Sequence, residues 1–383
     1  MKKTLLVLAT LAATAGVAQA AHVTLYGAAD LGLVYQYDKV NSDKATNKYG
    51  LESGNLGASK FGLKGEEELG NGYVVGFKLE NGFSADDGQL GQGGRLFGRE
   101  ARLYVNGGFG ELSAGRMGAL SSGAGSYDIF KAYGDVFDGG VNAIGAGYWN
   151  GTGRYDNTLT YVTPDLAGLK VYAQYSFATS GQEVAGTRKN DRYWGVGATY
   201  DNGPLGLVFV VDSVLPKNPD NGSSQDSYTI SFGGNYDFGA VKPFFGAQYG
   251  KHLTSFGFVN SGLHDSLDGF SFSIKRGYAV SLGAAFPLTC GTLQAGVFYA
   301  HSGNIAGDKT VDDVTTSVGA DKADAYGVGL VHSYPLSKRT TVYSGVGYNY
   351  VKIKGVDGED LQYADSNFKK QSAQVLFGLN HTF

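Results

Sequence analysis

Cysteine, proline, methionine and charge are all scarce in this 383-residue chain. Its one cysteine, Cys290, excludes an internal disulfide and falls in a predicted turn, Phe286–Gly291. Charged residues make up 17% of the chain, against roughly 25% in a typical soluble domain, while 42% hydrophobic content argues against disorder. The formal charge of −4 offers no basic surface for nucleic acid, and none is expected as a partner. After Ala20 no run of about 20 apolar residues occurs, which excludes a bilayer-spanning helix. The seven prolines avoid strand centres, where each would delete a ladder hydrogen bond. Pro164, Pro204, Pro287 and Pro335 lie in predicted short turns, Pro216 and Pro219 in a long connection, and Pro243 near a strand start.

Glycine and aromatics are abundant: 61 Gly, 26 Tyr and 22 Phe. Glycine costs about 1 kcal/mol against alanine inside a helix, and here it lacks the period of three that collagen requires. Many strands, tight turns and an exposed aromatic surface fit this composition. Met1–Ala20 reads as a secretory signal, with basic Lys2 and Lys3, apolar Thr4–Val17 and an A-x-A site at Ala18–Ala20. Its removal would leave 29 basic against 35 acidic residues, a net charge of −6, and one expected domain over residues 21–383.

Period two runs from end to end. Val23, Leu25, Gly27, Ala29, Leu31 and Leu33 share one face, and Thr24, Tyr26, Asp30, Gln36 and Asp38 the other. Tyr228, Ile230 and Phe232 alternate with Ser227, Thr229 and Ser231. Seven connections are short and turn-like. Eight are longer and polar, at about 39–57, 84–95, 118–153, 178–191, 214–226, 252–274, 302–322 and 353–369. Fifteen connections give sixteen strands, each near the 9–11 residues that a tilted membrane strand needs. Short turns alternating with long loops, and an even strand count, predict an all-β fold: a 16-stranded antiparallel transmembrane barrel. A soluble sandwich would hold its largest residues mid-strand. Here Tyr35, Tyr37, Tyr73, Phe83, Phe177, Tyr249 and Phe383 lie near strand ends on the apolar face, as interfacial girdles do.

Several stretches together resemble the general porins of Gram-negative outer membranes, in particular the neisserial and betaproteobacterial type. They are Val23–Gly27, Ser59–Gly72, Gly98–Ala101, Phe109-Gly110 with Gly115-Arg116, Asn157–Tyr161 with Thr163-Pro164, and Gly378–Phe383. The resemblance implies a homotrimer of sixteen-stranded barrels, each with a long third loop folded into its pore, passing small hydrophilic solutes and ions by diffusion. It implies outer-membrane lipid and lipopolysaccharide as surroundings, and a terminal Phe383 read by the barrel-assembly machinery. No cofactor is expected.

By parity Lys60, Lys64 and Glu66 point into the lumen, as do Lys78 and Glu80 one strand on. Such residues are either a solvated face or a cluster of fixed cations. The resemblance matches Lys60, Arg99 and Arg116 to the family's basic constriction. Parity conflicts with two of these, because Arg99 shares a face with Leu103 and Val105, and Arg116 with Leu112 and Ala114. Bulges, strand ends, or Arg102 as the true lumen cation would each resolve the conflict. The 118–153 connection carries Asp128, Asp135 and Asp138; folded inward, it would face these acids toward the wall cations and set up a transverse field. Two departures from the family pattern weaken any inference of strong anion selectivity: Asp135–Gly140 stands in place of Pro-Glu-Phe-Gly-Gly, and Thr160 where an arginine is often seen.

Enzyme signatures are missing. The six histidines are scattered without a metal-binding pair, and no G-x-S-x-G, Walker loop or H-x-x-x-H is present. The expected function is a passive diffusion porin with no catalytic residues and no metal. The alternative is a channel of the same fold selective for organic acids or phosphate.

Overall fold

The computed structural model describes residues 23–41, 43–138, 148–150, 153–181, 183, 190–216, 225–253, 271–311, 314–356 and 367–383. The signal segment lies outside them. Seventeen strands form one antiparallel sheet. They are β1 (Thr24–Val40), β2 (Thr46–Ser53), β3 (Lys60–Gly70), β4 (Tyr73–Gly82), β5 (Glu100–Gly107), β6 (Gly110–Gly118), β7 (Arg154–Val162), β8 (Leu169–Ser176) and β9 (Arg192–Asn202). β10 (Leu205–Leu215), β11 (Tyr228–Tyr236), β12 (Lys242–Leu253), β13 (Ser271–Leu288), β14 (Gly291–Val311), β15 (Val314–Pro335), β16 (Thr340–Lys354) and β17 (Asn367–Thr382) complete it.

The sheet closes on itself. β1 pairs with β17 from Ala28↔Thr382 to Val40↔Lys370, and along its other edge with β3 and β2. β3 lies against Thr24–Ala28 and β2 against Leu31–Asp38, so the two share one place in the wall, broken by a kink at Gly54–Ser59. The seventeen strands therefore fill sixteen places, the number that the sequence predicts. Closure leaves no edge to aggregate. The C-terminus takes part: Gly27 N donates to Phe383 O and Phe383 N to Gly27 O, each at 3.0 Å.

Two predicted connections are partly wall. Within 39–57, β2 places Tyr49 (80% exposed) and Leu51 on the outer surface, a short alternation hidden among Asn47, Lys48 and Glu52. Within 302–322, β14 and β15 run on as a hairpin to Val311↔Val314, because Thr310, Val311, Val314, Thr315 and Thr316 are strand-favouring β-branched residues.

Side chains alternate as a membrane barrel requires. Leu103, Leu112, Leu159, Val196 and Phe209 are exposed outward, while Ser113, Thr160, Gln174 and Thr199 between them are buried inward. The inner face is uneven. From β3 to β7 it is charged; on β10 and β14 it includes buried Val208, Val210 and Phe298. The polar-lumen expectation thus holds for one side of the wall, and the other is partly apolar.

Candidate pore lining

On β3, β4 and β5 the register sets Lys64 opposite Lys78 and Lys78 opposite Arg102. The next inward row sets Gly62 opposite Glu80 and Glu80 opposite Glu100. Three cations stand beside two carboxylates, which the register of tight alternating hairpins makes unavoidable. Glu80 and Glu100 are 2% and 0% exposed, and buried carboxylates persist only when paired. Lys78 Nζ donates to Glu100 Oε2 at 2.8 Å and lies 3.8 Å from Glu80. Lys60 Nζ is 3.8 Å from Glu80 on the other side. Arg102 is ion-paired with Glu100 at 2.8 Å and donates to Glu111 at 3.0 Å, with its guanidinium over the Tyr104 ring. Lys64 lies over the Tyr26 ring, and Tyr26 in turn donates to Glu80.

Both parity conflicts have a local cause. Arg99 precedes the first residue of β5, so it is released from the strand's alternation and its Nε donates to Glu80 at 2.7 Å. Arg116 follows a register shift between Gly115 and Met117, at which Gly115 takes φ +140°. The bulge turns Arg116 onto Asp156 at 2.5 Å. Arg102 also faces inward by simple parity, so all three cations share the interior.

Arg154 is the residue that sequence reasoning missed. The resemblance directed attention to position 160, but Thr160 is buried against Met117 and Gln174. Arg154 stands six residues earlier, at the chain's return from the longest connection, and lines a cavity of about 580 Å³ with Arg99 and Gly123. Its Nε bonds nothing, and no carboxylate pairs with it among the described residues. The cluster and the cavity it lines then hold Lys60, Lys64, Lys78, Arg95, Arg99, Arg102, Arg116 and Arg154 against Glu66, Glu80, Asp87, Glu100, Glu111 and Asp156. Cations exceed carboxylates by two, eight against six. Among the described residues no group of acids, His or Cys is suited to a metal.

The 118–153 connection meets this wall through neutral groups. Lys78 Nζ donates to Ser126 Oγ at 3.1 Å and Arg102 to Tyr127 Oη at 2.8 Å. The three acids lie elsewhere. Asp135 is 2% exposed and turned into its own loop, accepting from Trp149 Nε1 and Phe137 N. Asp138 follows one turn on, at φ +50°, reached by solvent but surrounded by the mass of the barrel. Asp128 is half-buried, and Lys131 is the charge that acts on it most. The expected facing of these acids onto the wall cations is therefore absent for Asp135, whose role here is to tie the loop together.

A short helix, Phe130–Gly134, and the residues around it pack on the less charged side. Glycines make this approach possible. A Cβ on Gly246 would stand 2.8 Å from the Trp149 ring, and one on Gly233 2.9 Å from Gly134 Cα. Tyr148 stacks on Phe298 at 5.0 Å and donates to Asn349 at 2.6 Å. Gly246→Leu is expected to expel the Trp149 ring into water. Fluorescence in a Trp194→Phe background should then shift to the red, and unchanged emission would show that the ring tolerates the side chain.

The chain matches the family model described as Gram-negative porin over residues 7–354. It is 32% identical over 386 residues to an outer membrane porin protein of Bordetella pertussis, spanning 91% of this chain and 94% of that one. With outer membrane porin protein 32 of Delftia acidovorans the identity is 31% over 396 residues, across the full length of both. Among solved structures, an anion-selective porin from Comamonas acidovorans superposes with a TM-score of 0.65 at 26% identity, covering 95% of this chain and 100% of that one.

Proposed function

This chain belongs to the Gram-negative porin family and is an outer-membrane porin, and on that premise we propose that it is a passive, water-filled diffusion channel with a preference for anions. The observation that carries the preference is the surplus of two cations in the wall cluster, with Arg154 unpaired. The likeness to a porin described as anion-selective points the same way. In this reading the 118–153 connection lies in the lumen, its apolar side on the glycines of β11 and β12, and narrows the passage against the cationic wall. Lys60, Lys64, Arg99, Arg102, Arg116 and Arg154 then act as fixed charges that attract anions. The protein works as a homotrimer, and Phe383, held at the seam by Gly27, is the residue read during assembly.

Purified protein in planar bilayers tests this: stepwise ohmic openings in multiples of three are expected, without saturation as solute rises. Saturable flux for one organic acid or phosphate would favour a substrate-selective channel instead.

The loop acids add a pH dependence. Burial is the largest influence raising the carboxyl of Asp128, to about 7. Burial, then the neighbouring Asp135, raises that of Asp138 to about 6. Both are neutral near pH 5 and ionised near pH 8, so two negative charges enter the loop as pH rises. Anion preference should fall between those values. Reversal potentials measured across the range check this, and Asp128→Asn with Asp138→Asn should flatten the change.

A further inference from the structure

The cavity lined by Arg99 and Arg154 has a second wall, which the ion pairs do not explain. Part of it is the tight turn Gly91–Gly94, with sequence Gly-Gln-Gly-Gly. Gln92 is the one residue there with a side chain, and it is held at φ +51° and ψ +43°. That left-handed region favours glycine, so a side chain kept in it is held by its surroundings. The neighbouring glycines show how. A Cβ on Gly98 would stand 2.6 Å from Gln92 Cβ. One on Gly82 would collide with Gln92 Oε1 and lie 3.0 Å from Arg99 Cδ. Two bare positions thus clear a path for the amide and set its oxygen over the end of β4, beside Arg99. Oε1 is buried there and accepts from no donor among the described residues.

The complementary defect lines the same cavity. Arg154 Nε is buried and donates to nothing among the described residues. A buried donor and a buried acceptor left unmade are each costly, and these two do not reach each other. The charges repeat the pattern. Arg99 is answered by Glu80 at 2.7 Å, which leaves Arg154 as the cavity's free cation. Asp87, exposed on the same lining, accepts from Gln89 N at 3.0 Å and has no cation paired with it among the described residues. One open positive group and one open negative group therefore face a common space of about 580 Å³, within the range of small-molecule sites.

We propose that this cavity binds zwitterionic α-amino acids. The carboxylate lies on Arg154, and the ammonium donates to Gln92 Oε1 and faces Asp87. A plain carboxylic acid would satisfy Arg154 and leave Oε1 without a donor. A hydroxy acid would supply the donor but bring net negative charge to a space that already holds Asp87. The α-amino acid matches both ends at no net charge. The inference deepens the channel reading and rests on it, because the solute reaches the cavity through an open lumen. Saturation then belongs to this solute class, and the salt current stays ohmic.

The test is saturation-transfer NMR on the full protein in detergent, titrated with L-alanine, L-lactate and propionate. These carry an ammonium, a hydroxyl or a hydrogen on the same carbon. Wild type should bind L-alanine at least about fivefold more tightly than either anion, as a charge-assisted bond to a buried acceptor implies. Gln92→Gly keeps a backbone that glycine prefers and removes the amide; Asp87→Asn removes the charge. Each should lose most of the preference while still conducting in bilayers. Asp86→Asn, an equal loss of charge one residue away and off the cavity lining, should keep it. Lactate or propionate binding as tightly as L-alanine overturns the proposal, as does no binding of L-alanine. Full preference in a conducting variant that combines Gln92→Gly with Asp87→Asn also overturns it. Binding in detergent needs no current, so these failures leave the channel reading standing, whereas folded protein that does not conduct removes that reading itself.

Discussion

Asp30→Ala is expected to cost this barrel about 5 kcal/mol, at the upper end of what single substitutions do. Asp30 is fully buried on β1, and its carboxylate accepts five hydrogen bonds. Asn55 N and Tyr343 Oη donate to Oδ1 at 2.9 and 2.7 Å. Leu56 N, Gly57 N and Asn380 Nδ2 donate to Oδ2 at 3.2, 3.1 and 3.0 Å. One side chain thus joins β1, the kink at Gly54–Ser59, β16 and β17, which is the seam where the wall closes. Alanine leaves five donors facing each other in a buried space. Each unsatisfied group costs about 1–3 kcal/mol, and partial rehydration returns some of it. Asp30→Asn keeps one oxygen and turns an NH₂ on the donors of the other, so it should recover less than half. Thermal unfolding of the detergent-solubilised protein should show a fall on the order of 10 °C for the alanine variant. An unchanged transition would mean that the seam is held elsewhere.

Arg154→Glu is expected to change ion selectivity most among the wall variants. Arg99 and Lys60 are each partly neutralised by Glu80, and Arg116 by Asp156, whereas Arg154 has no such partner among the described residues. Reversal there changes the local charge by two units without breaking an ion pair, and Arg99 in the same cavity offsets the repulsion from Asp87, Glu80 and Glu100. A unit charge acts on an ion 4 Å away with about 1 kcal/mol even at the dielectric of water. Two units, moderated by distance and salt, should shift the anion-to-cation ratio on the order of fivefold to tenfold, with opposite effects on the two ions. Arg154→Gln should give about half that change. Arg99→Glu would instead set a carboxylate against buried Glu80 and should fail by misfolding. Reversal potentials of folded variants read the difference; a ratio equal to wild type would remove Arg154 from the selective region.

Much of this architecture follows from alternation and connection length. Strand faces need only a period of two, so parity alone sets Lys60, Lys64 and Lys78 on one face of the wall. The failures come where backbone geometry breaks that period. Arg99 escapes it by preceding β5, and Arg116 by the bulge at Gly115, neither of which leaves a residue-type signature strong enough to read. Asp30 stands on the polar face from the first reading, but its five donors come from positions up to 350 residues away. Arg154 needed the return path of the 118–153 connection, and Asp135 the packing of Trp149, both set by tertiary contact. The glycines under that connection, such as Gly233 and Gly246, look like ordinary strand glycines until the chain that presses on them is placed.

The most direct measurement is the reversal potential of the wild-type protein in planar bilayers across a tenfold potassium chloride gradient at pH 7. A water-filled pore with two surplus cations predicts stepwise conductance and a potential of the sign set by chloride. A potential of the sign set by potassium, or no conductance from correctly folded protein, would contradict it.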